Sequence, residues 1–146
     1  SYFIPDDVAI RTFVQALERG VKVRILLPGP YIDADMVRSA SRAEWGKLLE
    51  AGAEIYEYQP TMFHCKVMVV DSLWTSVGST NFDNRSFAVN DEANLNIYDA
   101  DFAKLQMRIF EEDLKRARRI SYDEWRNRPW TEKLWEQAMG LLSSQL

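Results

Sequence analysis

The alternation of strand and helix signals over residues 2–58 is what most narrows the folds open to this chain. Val21-Lys22-Val23-Arg24-Ile25-Leu26-Leu27 starts with polar alternation and ends without it, as a strand buried on both faces does. Pro28-Gly29-Pro30 breaks it. A helix fits before this strand. Asp6 or Asp7 can cap it, Val8, Phe13, Val14 and Leu17 give it an apolar face, and Gly20 is a good stop. A second helix fits after it, opened by Asp33 or Asp35 and reaching about Leu49. Met36, Val37, Ala40, Trp45, Leu48 and Leu49 lie on or near its apolar side. Ala51-Gly52 ends that helix, and residues 53–58 alternate as a strand. Tyr2-Phe3-Ile4-Pro5 reads as the end of an earlier strand. Strand–helix–strand–helix–strand order predicts an α/β layer fold, with hairpins added later.

Chemistry concentrates in residues 62–94. His64-Cys65-Lys66-Val67-Met68-Val69-Val70-Asp71 holds the sole histidine of the chain inside a run of strand formers. Residues two apart on a strand face the same way, so His64 and Lys66 are predicted to project together. Cys65 and Val67 then point into the other layer, and Asp71 has the opposite parity to His64. Residues 73–77 are the expected hairpin partner, with Asp71-Ser72 at the turn. A nucleophile or proton carrier beside a fixed positive charge is what attack on a phosphate ester requires. In Gly78-Ser79-Thr80-Asn81 the glycine can turn backbone N–H groups toward an anion, and Ser79 and Asn81 can donate to phosphate oxygens. Asn90-Asp91-Glu92 places carboxylates before a further strand at 94–98. A carboxylate accepting the Nδ1–H of His64 would fix its tautomer and leave Nε2 to react. Singly these are a sheet-edge pair, a turn and a solvated acid; together, in this order, they read as one site.

The set His64-x-Lys66-x-x-x-x-Asp71, Gly78-Ser79-x-Asn81 and Glu92 resembles the HKD motif of the phospholipase D superfamily. The surrounding text resembles bacterial cardiolipin synthases: Tyr56-Glu57-Tyr58-Gln59-Pro60, Asn81-Phe82-Asp83-Asn84-Arg85-Ser86-Phe87, Arg24-Ile25-Leu26-Leu27-Pro28-Gly29 and Phe110-Glu111-Glu112-Asp113-Leu114. The likeness runs over nearly the whole chain. Cys65 stands where a small residue is commoner, on the side expected to face away from the site. The resemblance implies phospholipase D-like α-β-α layers, a mixed sheet flanked by helices, forming one half of a pseudo-two-fold enzyme. Residues 1–120 would be a catalytic half-domain with one motif, and 121–146 a helical tail packed on the domain or at the membrane interface.

The resemblance further implies phosphatidyl transfer through a phosphohistidine, with phosphatidylglycerol or a related anionic phospholipid as substrate. His64, Lys66, Asp71 and Glu92 would be the catalytic set, with Asp71 organising its loop or the lysine. Gly78, Ser79 and Asn81 would hold phosphate. Lysines would supply the positive charge, so no cofactor or metal is expected. One motif is half of a site. The second half would come from upstream in the same polypeptide or from another chain, and the fragment alone would be inactive unless paired. Two other readings compete: a metal-independent nuclease working as a homodimer, and a degenerate half that only binds lipid or completes an interface.

Composition sets the outer limits. The chain has 146 residues, one domain's length, and 47% of them are hydrophobic. A net charge of −4 argues against coating nucleic acid by charge alone, and no nucleic-acid partner is expected. One cysteine allows no internal disulfide. No apolar run is long enough to cross a bilayer, so any membrane contact is expected to be peripheral or to come from residues outside this chain; the resemblance implies the cytoplasmic side of a bacterial inner membrane. The start at Ser1, with a strand at once, reads as an excised piece of a longer protein.

A helix is predicted from Asp101 to about Ile120, ending in Lys115, Arg116, Arg118 and Arg119. That cluster reads as charge favourable at a helix C-terminus, or as a patch for anionic headgroups. The tail carries Trp125, Trp130 and Trp135 on two short helices around Pro129. Their five-residue spacing holds no single helical face, which favours packing back on the domain over an interfacial role.

Overall fold

The computed structural model describes residues 2–33 and 35–141. The last five residues of the expected tail lie outside that range. The first helix, α1 (Asp7–Glu18), is capped as predicted: the Asp6 side chain accepts from the N–H of Ala9. Its buried face centres on Ile10, with Phe13, Val14 and Leu17 against the core. Val8, expected on that face, is exposed. The strand β1 (Arg24–Pro28) runs parallel to β2 (Glu54–Tyr58), and α2 (Asp35–Glu50) crosses between them. Trp45, Leu48, Leu27 and Ile55 meet in the core under α1 and α2. Met36, predicted near the apolar side of α2, is exposed.

The second sheet is antiparallel, ordered β3 (Val67–Val70), β4 (Trp74–Gly78), β5 (Asn94–Tyr98). Asp71 and Ser72 form the β3–β4 turn with φ of 51° and 54°, and the Leu73 N–H closes it on the Val70 carbonyl at 3.1 Å. This left-handed turn matches strand twist. The second helix face of this layer is α4 (Ala100–Leu114), capped by Asp99 and packed on β3 and β4. The short α3 (Asn84–Ala88) occupies the stretch between β4 and β5, where the sequence shows no clean period; its cap is the buried Asp83, which accepts from the Ser86 N–H at 2.8 Å.

Three expectations need correction. First, the strands of the described residues divide into two three-stranded sheets: the expected mixed sheet, with parallel and antiparallel pairs, is one of them, and the antiparallel sheet is the other. Second, the helix predicted to reach Ile120 stops at Leu114, and β6 (Ala117–Ile120) pairs antiparallel with β2. Ile120 is buried there, and each basic residue has an acid: Lys115 with Glu112, Arg116 with Asp113, Arg118 with Glu57 and Glu124, Arg119 with Glu54. Burial of Ile120 and this pairing outweigh helical spacing. Lys115 and Arg116 pair with acids three residues back at the end of α4, while Arg118 and Arg119 reach across to β2. Third, only one tail tryptophan packs inward. Trp125, on α5 (Tyr122–Arg126), donates to the Arg42 carbonyl at 2.7 Å and rests where Gly46 has no Cβ. On α6 (Trp130–Leu141), Trp130 and Trp135 are 71% and 55% exposed. The tail is held instead by Glu136, buried and paired with Arg42 at 2.9 Å and Arg128 at 2.6 Å.

Candidate active site

His64 lies in the irregular segment just before β3, and Lys66 abuts the strand: its carbonyl accepts the Gly78 N–H at 3.2 Å. The lysine Nζ donates to the His64 carbonyl at 3.2 Å. This bond ties the ammonium to the backbone of His64, and both residues precede Val67, the first residue of β3. Burial lowers the Lys66 pKa from its ordinary value, while the nearby Glu92 charge opposes the fall.

Glu92 sits at the mouth of β5. Its Oε1 accepts from Ser86 Oγ at 3.0 Å and from Asn90 Nδ2 at 3.4 Å. Its carboxyl is held below the usual range first by the Ser79 hydroxyl, then by Ser86, Asn90 and the Lys66 charge, against a desolvation effect of opposite sign. Ser79 also accepts from the Ala93 N–H at 3.0 Å. Asn81 turns its Oδ1 to the Tyr2 N–H at 3.3 Å, which leaves its amide NH₂ as the donor end.

The backbone at 78–80 does not form the anion cradle that its glycine suggests. The Gly78, Ser79 and Thr80 N–H groups donate to Lys66 O, Ala93 O and Asn94 Oδ1. Gly78 is required for close approach: a Cβ there would strike Ala93 O and Asn94. Asp71 lies at the far end of β3, roughly 16 Å of extended chain from Lys66, where it serves the turn. Cys65 is exposed, and so is Val67, because α4 covers the Val69–Thr75 end of that face. The structure therefore gathers His64, Lys66, Ser79, Asn81 and Glu92 on one end of the second sheet and leaves Asp71 at the other.

Four residues join them that sequence reading did not select: Tyr2, Asp33, Ser86 and Asn90. The Tyr2 ring lies edge-on to His64, with centroids 5.9 Å apart and planes at 81°. Its hydroxyl donates to Asp33 Oδ1 at 2.7 Å. Burial and that carboxylate push the Tyr2 pKa up to about 12. Asp33, expected as a helix opener, is thus engaged with Tyr2. The only local signal for Tyr2 was its place at a strand end; its partner, Phe82, is distant in sequence and joins it by a parallel bridge at Phe3.

A histidine and a lysine joined through the histidine carbonyl, at one end of a strand layer with hydroxyl, amide and carboxylate groups nearby, fit an α/β domain of the phospholipase D type. The family model described as "Cardiolipin synthase, PLD-like domain" matches residues 1–114, and the chain belongs to that family. It is 40% identical to a cardiolipin synthase of Geobacillus sp. (strain WCH70) and 38% identical to cardiolipin synthase 2 of Bacillus anthracis. Each match runs over 145 residues, which is 99% of this chain and 29% and 28% of those proteins. The chain spans under a third of the length of these relatives. Two solved structures share the fold. Nuc of Salmonella typhimurium, a phospholipase D family member, superposes at TM-score 0.71 with 21% identity, covering 83% of this chain and 78% of Nuc. Phosphatidylserine synthase of Haemophilus influenzae superposes at 0.73 with 17% identity, covering 99% and 40%.

Proposed function

We propose that this chain supplies one of two His-x-Lys half-sites of a phosphatidyl transferase of the cardiolipin synthase kind. The observation that carries the reading is the His64–Lys66 pair beside Ser79, Asn81 and Glu92, in a chain of that family. Residues 1–120 are assigned to the catalytic half, which 121–141 brace through Trp125 and Glu136.

In the first step His64 Nε2 attacks phosphorus of an anionic phospholipid such as phosphatidylglycerol. A P–N bond forms as the P–O bond to the leaving alcohol breaks. A second histidine protonates that oxygen, and it must come from another half, because this chain has one histidine. In the second step the hydroxyl of an acceptor lipid gives its proton to that second base and attacks phosphorus, and His64 leaves. Lys66, Ser79 and Asn81 steady the non-bridging oxygens, where charge gathers. Glu92 supports the imidazole. The charge on the phosphate is met by Lys66 and its counterpart in the second half.

The face of the second sheet on the side of Lys66 carries exposed Met68, Val70 and Tyr98, which fits a chain completed by a second half. No helix among the described residues is long and apolar enough to cross a membrane; we assign lipid access to a peripheral surface, on the cytoplasmic side.

The test joins this chain to its second half and incubates it with phosphatidylglycerol labelled at phosphorus. Acid-quenched label on His64, lost with transfer activity in His64→Ala, is expected. Activity without an adduct on His64 would make it the acid instead. Metal-independent cleavage of plasmid DNA by the chain alone, lost in the same variant, would replace the lipid reading with a nuclease.

A further inference from the structure

We infer that Tyr2, anchored by Asp33, is a positioning residue for the His64 imidazole. The inference rests on the reading of His64 as a reacting group. His64 precedes β3, and ladder pairing begins only at the Lys66 carbonyl. His64 thus stands outside the ladder, and packing against its ring bears on how the imidazole is aimed. Tyr2 supplies an edge-on wall at 5.9 Å. Such perpendicular contacts favour one ring orientation over others.

The wall is itself fixed at three points. The Tyr2 N–H donates to Asn81 Oδ1 at 3.3 Å, its carbonyl accepts the Phe82 N–H at 3.0 Å, and its hydroxyl donates to Asp33 Oδ1 at 2.7 Å. A charge-assisted bond of that length is a strong anchor. One tyrosine thus sets the imidazole edge and the amide of Asn81 together. Asp33 also acts on Lys66 by charge alone, so its two effects need separating.

The experiment uses three variants: Tyr2→Phe, Asp33→Ala and Asp33→Asn. The asparagine keeps an oxygen acceptor for the phenol and removes the charge. Because His64 is the only histidine, its imidazole ¹³C and ¹⁵N resonances in this chain are unambiguous. Tyr2→Phe and Asp33→Ala are expected to increase imidazole ring motion in relaxation measurements. In the enzyme joined to its second half, both lower kcat on the order of 10-fold with KM within about two-fold. Asp33→Asn is expected to keep ring dynamics near wild type, and any fall in its kcat reads the lost charge on Lys66. Unchanged ring dynamics and kcat in Tyr2→Phe would overturn the inference. Ring motion in Asp33→Asn as large as in Asp33→Ala would overturn the anchor, leaving Asp33 a charge on Lys66. If the joined wild-type enzyme transfers no phosphatidyl group, the proposed function fails while the relaxation arm still decides the role of Tyr2.

Discussion

The Lys66 ammonium reaches back to the carbonyl of His64, 3.2 Å away, so the positive charge is tied to the histidine's backbone. In the proposed reaction that bond holds the charge near the site before any ester arrives. Preorganised charge of this kind acts where negative charge develops in the transition state and costs little reorganisation.

Lys66→Met in the enzyme with both halves is therefore expected to lower kcat on the order of 10²- to 10³-fold, the range seen on removing one oxyanion donor. Lys66→Arg does not restore it, because a planar fork cannot keep both the His64 carbonyl bond and a point charge at the same place. Steady-state transfer rates check this; an arginine variant near wild-type activity would show that charge alone suffices.

Glu92 gives a pH signature. Its carboxyl is held below the usual range chiefly by the Ser79 hydroxyl, so its folded pKa is lower than its unfolded pKa. Its contribution to stability is then fully present above the unfolded pKa and is lost as pH falls through the folded one. Glu92→Gln imitates the protonated acid. Thermal melts should separate wild type and variant at pH 7 and bring them together in acid, below the ordinary carboxylate range. Because Glu92 opposes the lowering of the Lys66 pKa, the variant should also drop the Lys66 pKa further, read from its ¹³Cε shift. An unchanged or raised Lys66 pKa would detach the two groups.

Much of this arrangement was legible locally, and the reasons for the exceptions are physical. Capping by Asp6 and the β3–β4 turn at Asp71-Ser72 depend on near neighbours, and both were read correctly. Residues 117–120 misled because Ala117 continues the helical spacing, while their strand state depends on Glu54 and Glu57, more than fifty residues away. Gly78 suggested an anion nest but serves close packing against Asn94, which only the tertiary fold reveals. Tyr2 and Asp33 were invisible as site residues for the same reason. Nothing near either in sequence announces an imidazole that lies 62 residues after Tyr2 and 31 after Asp33.

Glu57 shows how strongly a distant pairing can be built in. It is 1% exposed and meets Arg38 at 2.6 Å, Arg42 at 3.2 Å and Arg118 at 3.0 Å, joining β2, α2 and β6. Removing this anion leaves three guanidinium groups facing each other, with Arg42 still held by Glu136 and Arg118 by Glu124. Breaking a buried pair this way costs several kcal/mol; partial exposure of Arg38 and Arg118 lets them regain water. Glu57→Ala is expected to lower unfolding stability by about 3 kcal/mol in urea titrations. A loss under about 0.5 kcal/mol, ordinary for a surface site, would mean that the network is not structural.

Thr75 makes the opposite case. It is fully buried on β4, the central strand of the second sheet, and its hydroxyl finds no hydrogen-bond partner among the described residues. A buried polar group left unpaired forfeits its hydration without recompense. Valine has nearly the same shape, keeps the branch at Cβ that suits a strand, and has no hydroxyl to desolvate. Exchange of threonine for valine usually costs stability because the hydroxyl was bonded; here the sign should reverse. Thr75→Val is expected to raise stability by about 1 kcal/mol. Thr75→Ser keeps the hydroxyl, removes a buried methyl, and should lower stability by about 1 kcal/mol. Paired denaturant melts of the two variants separate the hydroxyl from the methyl. Destabilisation by valine would establish that the Thr75 hydroxyl is bonded in solution and that this strand is wetter than its burial implies.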